Sequence, residues 1–137
     1  MTSDLQASLL AAIVDEQPGA INEMIANGAD PNEPLPNDTR SLHVAISFRA
    51  SPRVVQALLD QGADPDMVSP DGVPALVAAI QAAPNDGNLE TVKLLLDAGA
   101  DVELRDPDGH TAVDIARQLG SSETAEALAA AVSAEAD

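Results

Sequence analysis

The sequence predicts an all-α solenoid of about four stacked helix–turn–helix units, linked by turns that resemble β-hairpins. Three observations predict it. The tripeptide Gly-Ala-Asp recurs at 28–30, 62–64 and 99–101, at intervals of 34 and 37 residues. Each copy follows a segment whose apolar residues have helical spacing. Alanine, the best helix former, occurs 26 times, whereas the 137 residues include one aromatic residue and no cysteine.

The longer helix of each unit is predicted immediately before its Gly-Ala-Asp copy, over 20–26, 54–59 and 91–96. A glycine after the last turn of a helix adopts the left-handed conformation that closes the helix at little cost. Gly28, Gly62 and Gly99 are therefore predicted helix stops.

A shorter helix is predicted for each of the following units, over 41–48, 75–82 and 111–119. Pro-Asp-Gly at 70–72 and 107–109 predicts a turn, because proline fixes φ, aspartate bonds its own backbone and glycine accepts positive φ. A last, alanine-rich helix is predicted from 122 to about 133. The third unit is longer than the others, because residues 81–87 form an extended connection between its two helices. That insertion is either a binding element or a neutral loop.

A unit of hairpin, short helix, turn, longer helix and glycine stop at this period resembles the ankyrin repeat. Residues 106–116, DPDGHTAVDIA, are similar to the family pattern D-x-x-G-x-T-P-L-H-x-A, with Ala for Pro, Val for Leu and Asp for His. Residues 40–45 (RSLHVA) and 74–79 (PALVAA) stand where T-P-L-H-x-A belongs. The resemblance implies one domain over 1–137, with units at about 1–34, 35–68, 69–105 and 106–137, the first and last being end caps. It also implies that His43 makes structural hydrogen bonds between units.

The formal net charge is −17, from 6 basic and 23 acidic residues. Such a charge repels a phosphate backbone and attracts basic protein surfaces, so we expect no direct binding of nucleic acid. We find neither a signal peptide nor an apolar run long enough to span a membrane. We expect a cytoplasmic protein without membrane contact that is monomeric on its own.

The residues that carry chemistry in other proteins form no recognisable constellation here. Without cysteine there is no thiol nucleophile or cysteine metal site, and neither histidine is placed in a catalytic arrangement. Residues 106–109 imitate part of a calcium loop, but Leu104 and Ile115 stand where that loop needs Asp and Glu. We expect no catalytic site, no metal site and no cofactor.

The resemblance implies a module that binds other proteins along the hairpin tips and short helices. Carried onto this sequence, the candidate partner-binding residues are Asn37, Thr39, Ser47, Phe48, Asp71, Val73, Gln81, Ala82, Asp108, His110, Gln118 and Leu119. Phe48, the single aromatic residue, is the strongest candidate for an interface anchor. The alternative is that Phe48 fills a gap in the core between units one and two.

The expected function is thus a non-enzymatic module that binds and modulates a partner protein through a basic surface on that partner. Two alternatives stay open. The chain is an acidic nucleic-acid mimic or a neutralising, immunity-type inhibitor of a basic enzyme or toxin, or it is a scaffold without a dedicated partner. The fold does not identify the partner, because one fold serves many targets.

Overall fold

The computed structural model describes residues 2–47, 52–83 and 88–136. Within these ranges the chain forms eight α-helices and one turn of 3-10 helix at Pro36–Asp38. The α-helices are α1 (Thr2–Val14), α2 (Pro18–Ala26), α3 (Ser41–Ser47), α4 (Pro52–Asp60), α5 (Ala75–Ala82), α6 (Leu89–Asp97), α7 (Ala112–Gln118) and α8 (Ser122–Ala136).

The helices stack as four pairs in two rows. Within each pair α1 contacts α2, α3 contacts α4, α5 contacts α6 and α7 contacts α8. The odd-numbered helices pack side by side in an inner row, and the even-numbered helices form an outer row in the same order. This two-layer stack confirms the predicted all-α solenoid of about four helical units.

The core lies between the two rows and repeats with the units. Leu58, Leu95 and Leu128 occupy the same position in α4, α6 and α8, and each is fully buried. In the inner row, Ala45, Ala79 and Ala116 share one position and are also fully buried. A methyl side chain at that position lets neighbouring inner helices approach closely, so the core is made of small aliphatic groups.

Each residue of the Gly-Ala-Asp copies has a separate structural role, as the second copy shows. Gly62 has φ +97° and ends α4, with the Ala63 amide donating to the Leu58 carbonyl at 3.0 Å. Ala63 is buried, and the Asp64 carboxylate accepts the Asp66 amide at 2.9 Å. The predicted glycine stops are therefore confirmed, and the aspartate forms the turn that follows.

Several helices differ in length from the prediction. The outer helices α2 and α4 begin two residues earlier, at Pro18 and Pro52, because proline is well suited to the first helical position, where no amide donor is needed. Helix α7 begins at Ala112, since Thr111 caps it: the Asp114 amide donates to the Thr111 hydroxyl at 3.3 Å. Helix α8 continues to Ala136, beyond the predicted end near 133.

The last pair of helices presents a polar end face. Val77 and Ile80 of α5 are buried, and the equivalent positions of α7 hold Asp114 and Arg117. The hydrogen bond from the Thr111 backbone amide lowers the pKa of the Asp114 carboxyl. Charged side chains at these two positions give the last described helix pair a polar outer face, unlike the apolar face of α5.

Candidate functional site: the finger row and the inner helices

Three hairpin-like turns project from the stack, and we call them fingers. Finger 1 is residues 35–39, finger 2 is residues 68–74 and finger 3 is residues 105–111, each closed by one antiparallel bridge. In finger 2 the Ser69 amide donates to the Val73 carbonyl at 3.0 Å and the Gly72 amide to the Ser69 carbonyl at 2.8 Å. Gly72 has φ +88°, which favours glycine. The Pro-Asp-Gly turns are thus formed as the sequence predicts.

Finger 3 contains the one group of residues that lies close enough together to hold a cation in the described part of the chain. Its members are Asp106, Asp108 and His110. However, the buried Asp106 Oδ1 already accepts the Asp108 amide at 3.0 Å and the His110 amide at 2.9 Å. Turn formation accounts for this arrangement without an ion.

Finger 1 is built differently. Asp38 has φ +58°, at the position where fingers 2 and 3 have glycine. The Arg40 Nη1 donates to Asp38 Oδ1 at 2.9 Å, and the Thr39 hydroxyl donates to the Pro36 carbonyl at 2.9 Å. The short polar side chain of aspartate tolerates this left-handed conformation better than most residues do.

His43 joins α3 to the next finger, as the resemblance implied. Its Nε2 lies 2.8 Å from the Val73 carbonyl, while Nδ1 is buried and is the single buried side-chain polar atom without a partner among the described residues. Burial lowers the pKa of the imidazole, the Val73 hydrogen bond raises it, and the Arg40 charge lowers it. The net direction is downward, so His43 is neutral at pH 7 and Nε2 donates to the carbonyl.

Three side chains hold the loops that follow the outer helices. Asn32 and Asp66 each bond the loop of the next unit, whereas Gln6 of α1 bonds the loop of its own unit. The Gln6 Oε1 accepts the Asp30 amide at 2.8 Å, Asn32 Oδ1 accepts the Asp64 amide at 2.7 Å, and Asp66 Oδ1 accepts the Asp101 amide at 2.6 Å. Sequence reasoning missed this ladder. The 34-residue spacing of Asn32 and Asp66 was an available indication, but Gln6 follows no such spacing.

The predicted partner-binding residues fall on four positions that repeat from unit to unit. Two are in the fingers: the tip (Asn37, Asp71, Asp108) and the arm residue two positions after it (Thr39, Val73, His110). Two are at the end of the inner helix: one residue (Ser47, Gln81, Gln118) and the residue that follows it in sequence (Phe48, Ala82, Leu119). Because successive inner helices are neighbours, Ser47, Gln81 and Gln118 lie on adjacent helices.

Their exposure differs by position. Asp71 and Asp108 are exposed, as are Ser47, Gln81, Gln118 and Leu119. Thr39, Val73, His110 and Ala82 are half-buried. The Thr39 hydroxyl and the His110 amide bond within their own fingers, and the Val73 carbonyl bonds His43 of α3. The finger arm is therefore partly structural. Phe48 and residues 84–87 of the insertion lie outside the described residues, as does the side chain of Asn37.

Comparison with known families agrees with this geometry. Residues 8–106 and, overlapping them, 42–137 match the family described as ankyrin repeats (3 copies). The chain belongs to the ankyrin repeat family. Ankyrin repeats are generally protein–protein interaction modules and are generally not catalytic. Among curated proteins, none matches this ankyrin chain. In the described ranges, no helix is both long enough and apolar enough to cross a membrane.

Proposed function

We propose that this ankyrin domain is a non-enzymatic module that binds a basic surface of a partner protein and modulates that partner. The observation that carries the proposal is the repetition of exposed side chains at equal positions in successive units. Asp71 and Asp108 recur at the finger tips, and Ser47, Gln81 and Gln118 recur at the ends of the inner helices. Such repetition yields one continuous surface rather than an isolated pocket.

The charge of the chain supports a basic partner. The finger tips of units three and four expose carboxylates, and the chain as a whole carries −17. Opposite charges on two surfaces speed their encounter and suppress binding to acidic competitors, and both effects weaken as salt is added. We therefore expect an association rate that falls with ionic strength.

The proposed contact surface combines these carboxylates with apolar groups. Leu119 is one of the exposed large hydrophobic residues of the described chain, and it follows α7 at the position that Phe48 holds after α3. An exposed aliphatic side chain adds affinity through the apolar area that it removes from water on binding, and aromatic residues are enriched in protein interfaces. The proposed anchors are therefore Phe48 and Leu119, with the acidic finger tips steering the approach.

The proposal is tested by capturing the partner from a lysate of the source cells, and then measuring its affinity for three purified variants. The first variant carries Asp71→Asn and Asp108→Asn on the finger tips. The matched control carries Asp60→Asn and Asp97→Asn, which remove the same charge at the exposed ends of the outer helices α4 and α6. The third variant is Phe48→Ala.

The finger-tip variant should bind the partner several-fold more weakly, with a smaller salt dependence, whereas the control should bind almost as the wild type does. If the finger-tip variant binds the partner as tightly as the control variant does, a contact through the fingers is refuted. Competition by duplex DNA would show that the acidic face occupies a nucleic-acid site on the partner, as a mimic does. A loss of partner activity at equimolar ratio would identify the domain as an inhibitor.

A further inference from the structure

We propose that the cleft beside finger 1 is a second docking site, which accepts an extended partner segment combining lysine or arginine with an aliphatic side chain. This N-terminal cleft has a volume of about 670 Å³ and is lined by Gln6, Gly28, Asp30, Glu33, Pro34 and the finger residues Leu35 and Pro36. The inference rests on the proposed function, since its occupant belongs to the same basic partner, but it adds a separate surface.

The cleft lies where a preceding finger would pack. Finger 3 packs closely on finger 2, as the space at Gly72 shows: a Cβ atom at that position would lie 3.2 Å from Pro107 Cγ. Pro36 holds in finger 1 the position that Pro107 holds in finger 3. No finger stands before finger 1 in the described residues, where α1 begins at Thr2. The side of Pro36 that would meet a neighbouring finger therefore borders the cleft.

Helix α1 replaces only part of the absent finger. The buried Gln6 amide group bonds the Asp30 amide at 2.8 Å and the Asp30 carbonyl at 3.0 Å, so it fastens the loop as Asn32 and Asp66 do in later units. The backbone at the floor of the cleft is thereby satisfied and held in place. The space that a finger tip would fill stays open, and its volume is within the range of sites that bind ligands or short segments.

The charge of the lining indicates what fills the cleft. Asp30 and Glu33 are exposed at its rim, and the described residues that line it include no lysine or arginine. In contrast, the neighbouring cleft of about 320 Å³ between fingers 1 and 2 includes the Arg40 guanidinium, which pairs with Asp38 at 2.9 Å. Two carboxylates beside the accessible apolar rings of Pro34 and Pro36 complement a cationic residue next to an aliphatic one.

The test uses the acetylated and amidated pentapeptide Lys-Leu-Lys-Leu-Lys as the probe. It is titrated into the ¹⁵N-labelled full chain, and the amide shifts are followed by NMR. The largest shifts are expected at Asp30, Glu33 and Leu35. The amides of Asp64 and Asp101, which occupy the equivalent Gly-Ala-Asp positions, serve as internal controls and should move little.

Two double variants separate the cleft from net charge. Asp30→Asn with Glu33→Gln removes both rim charges, and the amide oxygen at position 30 still accepts the Asn32 amide, as Asp30 Oδ1 does at 2.9 Å. Asp64→Asn with Asp66→Asn removes the same number of charges in the next unit. In the first unit Asn32 holds the position of Asp66 and accepts the Asp64 amide, so asparagine can make the bond that joins the units. Retained amide dispersion in both variants confirms that each is folded.

The rim variant should bind the probe about three- to tenfold more weakly, and the control pair less than about twofold. Replacing both leucines of the probe by alanine should weaken binding by about tenfold. Equal losses in the two variants, shifts spread evenly over all three Gly-Ala-Asp positions, or equal binding of the alanine probe would each overturn the cleft proposal. Because the finger-tip residues are untouched, a failure here leaves the proposed binding through the finger tips and inner helices standing.

Discussion

Replacing His43 with valine should change the pH dependence of stability while leaving stability near neutrality almost unchanged. Valine is the residue at the equivalent position of α5, where Val77 is fully buried. The variant loses the hydrogen bond to the Val73 carbonyl, worth about 0.5–1.5 kcal/mol. That carbonyl keeps its bond from the Ser69 amide, and the buried, unpartnered Nδ1 is removed. At pH 8 the free energies of unfolding should therefore agree within about 1 kcal/mol.

Below neutrality the two proteins should diverge. The folded state lowers the pKa of His43, so the unfolded chain binds the proton more tightly than the native protein does. This contribution to stability is complete above the unfolded pKa of about 6.5 and is lost as the pH falls from there towards the folded pKa. One proton accounts for at most about 1.4 kcal/mol per pH unit. By pH 5.5, wild type should have lost up to about 1.4 kcal/mol relative to the variant.

Urea unfolding between pH 8 and pH 5 measures this difference. The helical circular dichroism signal is the appropriate probe, because the chain has no tryptophan or tyrosine. Protonation of the many carboxylates affects both proteins, so the difference between them isolates His43. A Val77→Ala control, which removes buried volume without a titrating group, should be destabilised equally at every pH. Parallel curves for wild type and His43→Val would refute the reasoning.

Three further predictions test the packing and the turns by the same unfolding assay. Leu58→Ala should lower the free energy of unfolding by about 2–5 kcal/mol, since Leu58 is fully buried in α4, which has an outer helix on either side; a loss below 1 kcal/mol would contradict that packing. Gly62→Ala should lower the free energy of unfolding by about 1–2 kcal/mol because φ is +97° at Gly62. Gly19→Ala within α2 should instead raise it by up to about 1 kcal/mol, and changes in the same direction would contradict this expectation. Asp66→Ala should cost about 1–3 kcal/mol by leaving the Asp101 amide without its acceptor, and Asp66→Asn should restore most of it.

The helical units could be predicted because their determinants are local. Gly62 requires a positive φ, the apolar residues before it follow a helical period, and Pro-Asp-Gly closes a turn whatever lies beyond it. Helix ends were less predictable. Pro52 starts α4 before the apolar pattern begins, and Thr111 is a cap rather than a helical residue, because its hydroxyl bonds the Asp114 amide.

The candidate site was predictable by position but not by exposure. The repeat alignment places Asp71 and Val73 beside each other in finger 2, yet the structure exposes Asp71 and uses the Val73 carbonyl as the acceptor of His43. A residue's role in such a finger depends on a contact made by the preceding unit, and that contact is not encoded within the finger itself.

The sequence by itself determined the repeat, the glycine stops, the all-α class and the excess of negative charge, because each depends on neighbouring residues or on composition. Only the tertiary structure decided which polar groups join neighbouring units and where a cleft lies beside the row of fingers. Asn32 reaches the Asp64 amide across 32 positions of sequence, and Gly72 meets Pro107 across the gap between two fingers. Such pairings form only when the helix pairs have stacked, since the distance between two units is set by the packing of their cores.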